Sequence, residues 1–122
     1  MKQALEVVGF CRPRGEYTLV GAVELIRSAV EQSRDRGVPK LLINGHEMSG
    51  VPIPSLIDRF LMVEEWAHEA RGMVAVALVV HEEYIHPEKF GVAAATHFGL
   101  KLDVFSSETD AFAWISNLAD PK

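Results

Sequence analysis

The run 73-MVAVALVV-80 decides the fold. Eight apolar residues are too few to cross a bilayer, but as a β-strand they put apolar side chains on both faces of a sheet. Val74, Val76, Leu78 and Val80 share one face. Met73, Ala75, Ala77 and Val79 share the other, where the alanines let a helix pack close. Such a strand is central and must be covered on both sides.

Upstream, the short run 41-LLIN-44 reads as a second core strand. It passes through 45-GHEMSG-50 into a helix that starts at Pro54 and Ser55 and carries Leu56, Phe60, Val63 and Ala67 at helical spacing. Between residues 18 and 36, Leu19, Val23, Ile26 and Val30 recur at three and four residues, and Gly37 with Pro39 closes that helix. Residues 4-ALEVVGF-10 alternate loosely and stop at 11-CRPRG-15, which predicts a first strand and a turn. Downstream, Pro87 suits the first turn of a helix over 87-PEKFGVAAATHF-98, ended by Gly99, and 101-KLDVF-105 is a further strand. Ser106 or Ser107 caps a last helix bearing Ala111, Trp114, Ile115 and Leu118, with Asp110 in a capping-box-like position. The order β-α-β-α-β-α-β-α across residues 1–122 predicts one α/β domain with a mainly parallel sheet of four to five strands. Ligand sites in such a sheet lie at the carboxyl ends of the strands.

Composition agrees with that architecture. The 122 residues are 48% apolar and 24% charged, enough to bury a core without disulfides or structural metal. The net charge is −5, and the cations Arg12, Arg14, Arg27, Arg34, Arg36 and Lys40 stand among acids without forming a basic stripe, which argues against a nucleic-acid partner. The lone Cys11 cannot make an internal disulfide and reads as a packing residue or an incidental thiol. With no basic-then-apolar leader and no run long enough to insert in a membrane, a cytoplasmic location is expected.

The turn after the second strand gathers an amide, an imidazole and hydroxyls where a ligand crevice is expected. Asn44, His46, Ser49 and Ser55 are therefore candidate ligand-binding residues, joined by His81, whose loop follows the neighbouring strand. Backbone N–H groups at the start of the second helix, with Ser49 and Ser55, can receive a small anion or a partner's carboxylate; the alternative is a hydrogen-bonded turn and cap. His46-Glu47 and His81-Glu82 hold ligand atoms suited to a divalent cation, yet no pair has a fixed helical spacing, so no metal is expected. The segment 81-HEEYIH-86 misses the H-E-x-x-H pattern by one residue and lies in a loop. With no nucleophile elbow and no activated cysteine, no catalytic residue or cofactor is assigned. Asp58 and Arg59 read as capping and surface pairing, and Glu64-Glu65 and Glu82-Glu83 as solvated acids. Met62, Tyr84 and Phe98, if they share one face, would line a hydrophobic ligand groove or a subunit interface.

The segments 40-KLLIN-44, 49-SGVPIPSLIDRF-60, 65-EWA-67, 88-EKFGVAAA-95, 99-GLKLDVF-105 and 106-SSETDAFAWI-115 together resemble the SpoIIAA-like branch of the STAS superfamily, whose founding members are anti-sigma-factor antagonists. The resemblance spans nearly the whole chain and implies β/α units with strands in sequential order. Ser55 is the nearest equivalent of the serine phosphorylated in those antagonists. Ile53-Pro54 before it and Leu56 after it replace the acidic and small neighbours of the phosphorylation motif, Asn44 stands where Asp is common, and His97-Phe98 replaces Asn-Arg. The expected function is thus a non-enzymatic interaction or regulatory domain without an intact phosphoserine switch, acting through a protein partner or self-association. In the implied superhelix the crossover helices gather on one face, so the other needs cover from the chain's own ends or from a second subunit, which favours a homodimer. The alternative is a small-molecule-binding protein with a lipophilic or anionic ligand at the strand ends. A closed or flat surface would favour the first reading, and an apolar pocket with converging polar groups the second.

Overall fold

The computed structural model describes residues 8–119. Its core is a four-stranded parallel sheet of β1 (Val8–Cys11), β3 (Lys40–Asn44), β5 (Ala75–Val79) and β6 (Leu102–Phe105), which lie side by side in chain order. The helices α1 (Leu19–Asp35), α2 (Leu56–Ala70) and α3 (Phe90–His97) join successive strands, and α4 (Glu108–Asn117) follows the last. This is the α/β architecture that the alternating pattern predicts; residues 4–7 of the expected first strand lie outside the described residues.

The register keeps the period-2 faces aligned across the sheet. Leu42 stands beside Phe10 and Ala77, and Ile43 beside Cys11 and Leu78. Leu41, Ile43, Val76 and Leu78 meet Ile26 and Val30 of α1, Val63, Trp66 and Ala70 of α2, and Ala94 and Ala95 of α3. Leu42, Ala75, Ala77 and Val79 on the reverse face meet Ala111 and Ile115 of α4, with Phe105, Trp114 and Leu118 packed around them. The chain's own last helix therefore covers the reverse face, while α1 stays with the other crossovers. Short alanine side chains on β5 and on α4 bring backbone close to backbone, as the Ala-rich face of 73–80 implies.

Lys40, fully buried at the start of β3, donates from Nζ to the carbonyls of Leu118 at 2.6 Å and Ser116 at 3.4 Å. Those carbonyls belong to the end of α4, where intrahelical partners run out and a cation is favoured. Trp66 Nε1 donates to the Val23 carbonyl at 3.1 Å and ties α2 to α1. Glu69 of α2 receives Arg34 at 2.7 Å and Arg27 at 3.1 Å, an ion-pair cluster across the same two helices.

Two expectations need correction. The segments expected to be turns, 11–15 and 45–50, contain β2 (Arg14–Glu16) and β4 (Glu47–Ser49), which pair in parallel as a separate two-stranded ribbon. These strands are short and mostly exposed, so they carry no hydrophobic period by which sequence could reveal them. Gly50 closes the ribbon at φ +81°, where an added Cβ would sit 2.9 Å from the Glu16 side chain, so no other residue fits without movement. The third helix is also shorter than expected. Pro87 lies ahead of it, a single 3-10 turn covers Glu82–Tyr84, and Lys89 adopts a left-handed conformation at the helix start.

Cover by α4 is tested by two substitutions. Ile115→Ala should destabilise by about 2–5 kcal/mol through cavity formation, whereas Ala113→Leu on the exposed side of the same helix should change stability by less than about 0.5 kcal/mol. Chemical denaturation of both variants checks the contrast.

Candidate functional site

A cavity of about 120 Å³ opens between the sheet and helices α1–α3, at the carboxyl ends of β3, β5 and β6. Ile43, Leu78, Leu102 and Val104 come from the strands, Ala22, Val23 and Ile26 from α1, and Met62, Val63 and Trp66 from α2. Nearly all of this lining is apolar. The roof is formed by the segment before α2, with Val51 and Pro54, and by the segment between β5 and α3, with His81, Tyr84, Ile85, His86 and Lys89.

One cation lies on the inner side of α2. Arg59, read from the sequence as a surface-pairing residue, is 9% exposed and borders the cavity. Its Nη1 donates to the Tyr84 carbonyl at 2.9 Å, and among the described residues it makes no other hydrogen bond and no ion pair. The Tyr84 hydroxyl donates to the Val51 carbonyl, so the two roof segments are joined to each other and to α2. Lys89 at the rim is paired with Asp103 at 2.8 Å. Among the described residues no Asp or Glu borders the cavity.

The helix puts Arg59 there. Ser55 caps α2 by accepting from the Asp58 N–H at 3.0 Å, while Asp58 accepts from the Ser55 N–H at 3.1 Å. With the first turn fixed in this way, Arg59, Val63 and Trp66 follow at spacings of four and three and face inward. Leu56, Ile57, Phe60 and Leu61 are left facing out. The expected cap at Ser55 and Asp58 is present, but the expected surface role of Arg59 is replaced by burial.

The five sequence-selected residues do not converge on the cavity. His81 borders it, as do Met48 of β4 and Gly45 just ahead of that strand, but Asn44, His46, Ser49 and Ser55 do not. Asn44 serves the turn and the reverse face. Its Oδ1 accepts from the His46 N–H at 2.9 Å, and its Nδ2 donates at 2.7 Å to Glu108, the first residue of α4. Arg12 grips the same carboxylate at 2.6 and 3.2 Å. Ser49 is exposed in β4 and donates to Gly15 at 3.4 Å; Ser55 is an exposed helix cap.

His46 and His81 do meet, as expected of loops on adjacent strands. Their rings stack 4.8 Å apart, Nε2 of His46 donates to the Val80 carbonyl at 3.3 Å, and Nε2 of His81 to the His46 carbonyl at 3.1 Å. Because a carbonyl only accepts, both Nε2 atoms carry hydrogen and neither is a free metal ligand. Among the described residues no three His, Cys, Asp or Glu side chains form a metal-holding group.

Sequence reasoning missed Arg59, Trp66, His86 and Lys89 as cavity residues. It identified Met62 and Tyr84 as candidates for a shared apolar groove, and both border the cavity. Phe98 instead packs edge-on against Phe60, 5.0 Å between centroids. An alternative signal for Arg59 was present: a lone cation at 59 stands four and seven residues before the buried Val63 and Trp66, on one helical stripe.

Comparison of the chain with family models, with curated proteins and with solved structures gave no match. No helix among the described residues is long and apolar enough to cross a membrane.

Two carboxylates outside the cavity set an acid sensitivity. Hydrogen bonds from Asn44 and then Arg12 lower the Glu108 pKa below its ordinary 4.5, and hydrogen bonds from Arg34 and Arg27 lower that of Glu69. A depressed folded value adds stability above the unfolded pKa that is lost as pH falls through the folded value. Stability should therefore decline on acidification below about 4.5, and the Glu69→Gln/Glu108→Gln variant should show a shallower decline than the parent. Denaturation midpoints measured across the acid range check the slope.

Proposed function

We propose that the domain binds a small, largely apolar molecule in the cavity at the strand carboxyl ends. The observation that carries this reading is the cavity itself: apolar walls from three helices and three strands, with a few polar groups converging at one side. Its position is where open parallel sheets bind ligands, and its volume approaches that of apolar cavities of about 150 Å³ that take up benzene. Among the described residues no paired carboxylates and no metal-holding cluster accompany it, and the contacts that the lining supplies are those of a binding site.

Hexanol, which is neutral and mostly apolar, is a suitable probe. Calorimetric titration should detect its binding, with a change in Trp66 fluorescence because the indole lines the cavity. Ala22→Leu, which adds bulk at the cavity wall, should weaken that binding at least about tenfold while changing stability by no more than about 3 kcal/mol. Equal binding by the parent and this variant would count against the cavity as the site.

A second reading, regulation through self-association, draws on a separate observation and on the resemblance to the SpoIIAA-like branch. Val20 at the start of α1 is 73% exposed, Ile57 of α2 is 71% exposed, and Leu56 and Leu61 beside it are each more than half exposed. Val20 and Leu61 share a shallow groove edged by Glu24, Asp58 and Glu65, so a second copy would meet apolar surface while keeping its own acids offset from these. A specific homodimer would bury roughly 1,200 Å² or more in total. Sedimentation equilibrium at tens of micromolar should show the dimer, and Ile57→Glu/Leu61→Glu should return it to monomer; a monomeric parent sinks this second reading alone.

A further inference from the structure

We infer that the ligand is a small monocarboxylate with an apolar tail, its carboxylate held by Arg59; this rests on the ligand-binding reading above. Arg59 is 9% exposed with no anion beside it among the described residues, and its unpartnered nitrogens are not sealed from solvent, so a ligand anion can reach them and replace water with charge-assisted hydrogen bonds. Nη1 is engaged by the Tyr84 carbonyl at 2.9 Å. Nε and Nη2, the donor pair that makes the side-on fork to a carboxylate, have no partner among the described residues.

The rest of the lining agrees in sign. The basic side chains bordering the cavity are Arg59, Lys89, His81 and His86, and among the described residues no acid borders it. In a chain with five more acids than bases, this local balance is opposite to that of the whole. A single fork suits a monoanion. Lys89, the other full cation, is already paired with Asp103, so a dianion such as a phosphate monoester would lack a second unpaired positive charge. The deeper walls, from Ile26, Val63, Trp66 and Leu102, offer only apolar contact for the tail apart from the indole N–H, which is bonded to Val23.

The test compares hexanoate with hexanol, which differ chiefly in the charged group, by titration calorimetry near neutral pH on the parent, Arg59→Met and Arg59→Lys. The parent should bind hexanoate at least about tenfold more tightly than hexanol, as expected for charge-assisted hydrogen bonds. Arg59→Met, which keeps an apolar stem, should bind the two alike, and Arg59→Lys should keep only part of the preference because it lacks the fork. Circular dichroism melting reports whether each variant folds; if Arg59→Met does not, the parent and Arg59→Lys decide. Hexanol bound as tightly as hexanoate by the parent overturns the carboxylate anchor and leaves the cavity reading standing. Inorganic phosphate displacing hexanoate at equal concentration overturns the preference for a monocarboxylate. Failure of both probes to bind at concentrations on the order of millimolar overturns the anchor and the cavity reading together.

Discussion

β3 and β5 are apolar on both faces, and the whole structure answers that constraint. A strand of this kind loses the hydrophobic contribution of one face unless a second layer covers it, at a cost of roughly 25 cal/mol for each Å² of apolar surface left in water. Three crossover helices cover one face because each joins adjacent parallel strands. The other face depends on a single helix of ten residues, Glu108–Asn117. Both ends of that helix are fastened to β3, the strand beneath it. Lys40 at the start of β3 binds the carbonyls at the end of α4, and Asn44 at the end of β3 binds Glu108 at its beginning. Polar residues at the two ends of an apolar strand thus set where the helix lies, while Ala75 and Ala77 set how closely it approaches.

The sequence is legible where burial imposes a period. The strand within 73–80, which the structure forms over Ala75–Val79, the helical stripe through Leu19, Val23, Ile26 and Val30, and the cap at Ser55 each follow from spacing or local hydrogen bonding. The β2–β4 ribbon escapes because Arg14-Gly15-Glu16 and Glu47-Met48-Ser49 are mostly solvated, so their pairing leaves no mark in hydropathy. The same limit applies to the site. Asn44 and Ser55 attract notice as polar residues at a strand-helix junction, yet polar residues at such junctions also close turns and cap helices, which is their role in this structure. A buried arginine is harder to read, since arginine is exposed far more often than not. Only the register of the inward stripe, fixed by the cap at Ser55 four residues earlier, distinguishes Arg59 from a solvated cation.

That stripe gives α2 an unusual division. Its second half is conventionally amphipathic, with Val63, Trp66 and Ala70 inside and Glu64 and His68 outside. In its first half the polarity reverses, because the inner position at 59 is charged while the outer positions at 56, 57, 60 and 61 are apolar. Burial of apolar surface alone would favour rolling this half so that Leu56 and Ile57 turned inward. The capping box prevents that by fixing the backbone of the first turn, and the second half prevents it by packing Trp66 against α1. The helix is therefore held in an orientation that its first half would not adopt alone, with an arginine presented to an apolar space.

The same arginine also holds the roof. Its bond to the Tyr84 carbonyl and the Tyr84 hydroxyl's bond to Val51 connect α2 to two segments that, apart from one 3-10 turn, have no regular secondary structure to stabilise them. Segments with few regular hydrogen bonds open at lower free energy than the sheet beneath them, so the roof is the natural route into the cavity. The proposed ligand anion on Nε and Nη2 would leave the Nη1 bond to Tyr84 intact and add charge-assisted hydrogen bonds to the guanidinium. If the proposed ligand binds, its occupation of the cavity would favour a closed roof through one side chain to the extent that it binds that state better than an open one. Coupling of this kind needs no second site and no movement of the sheet.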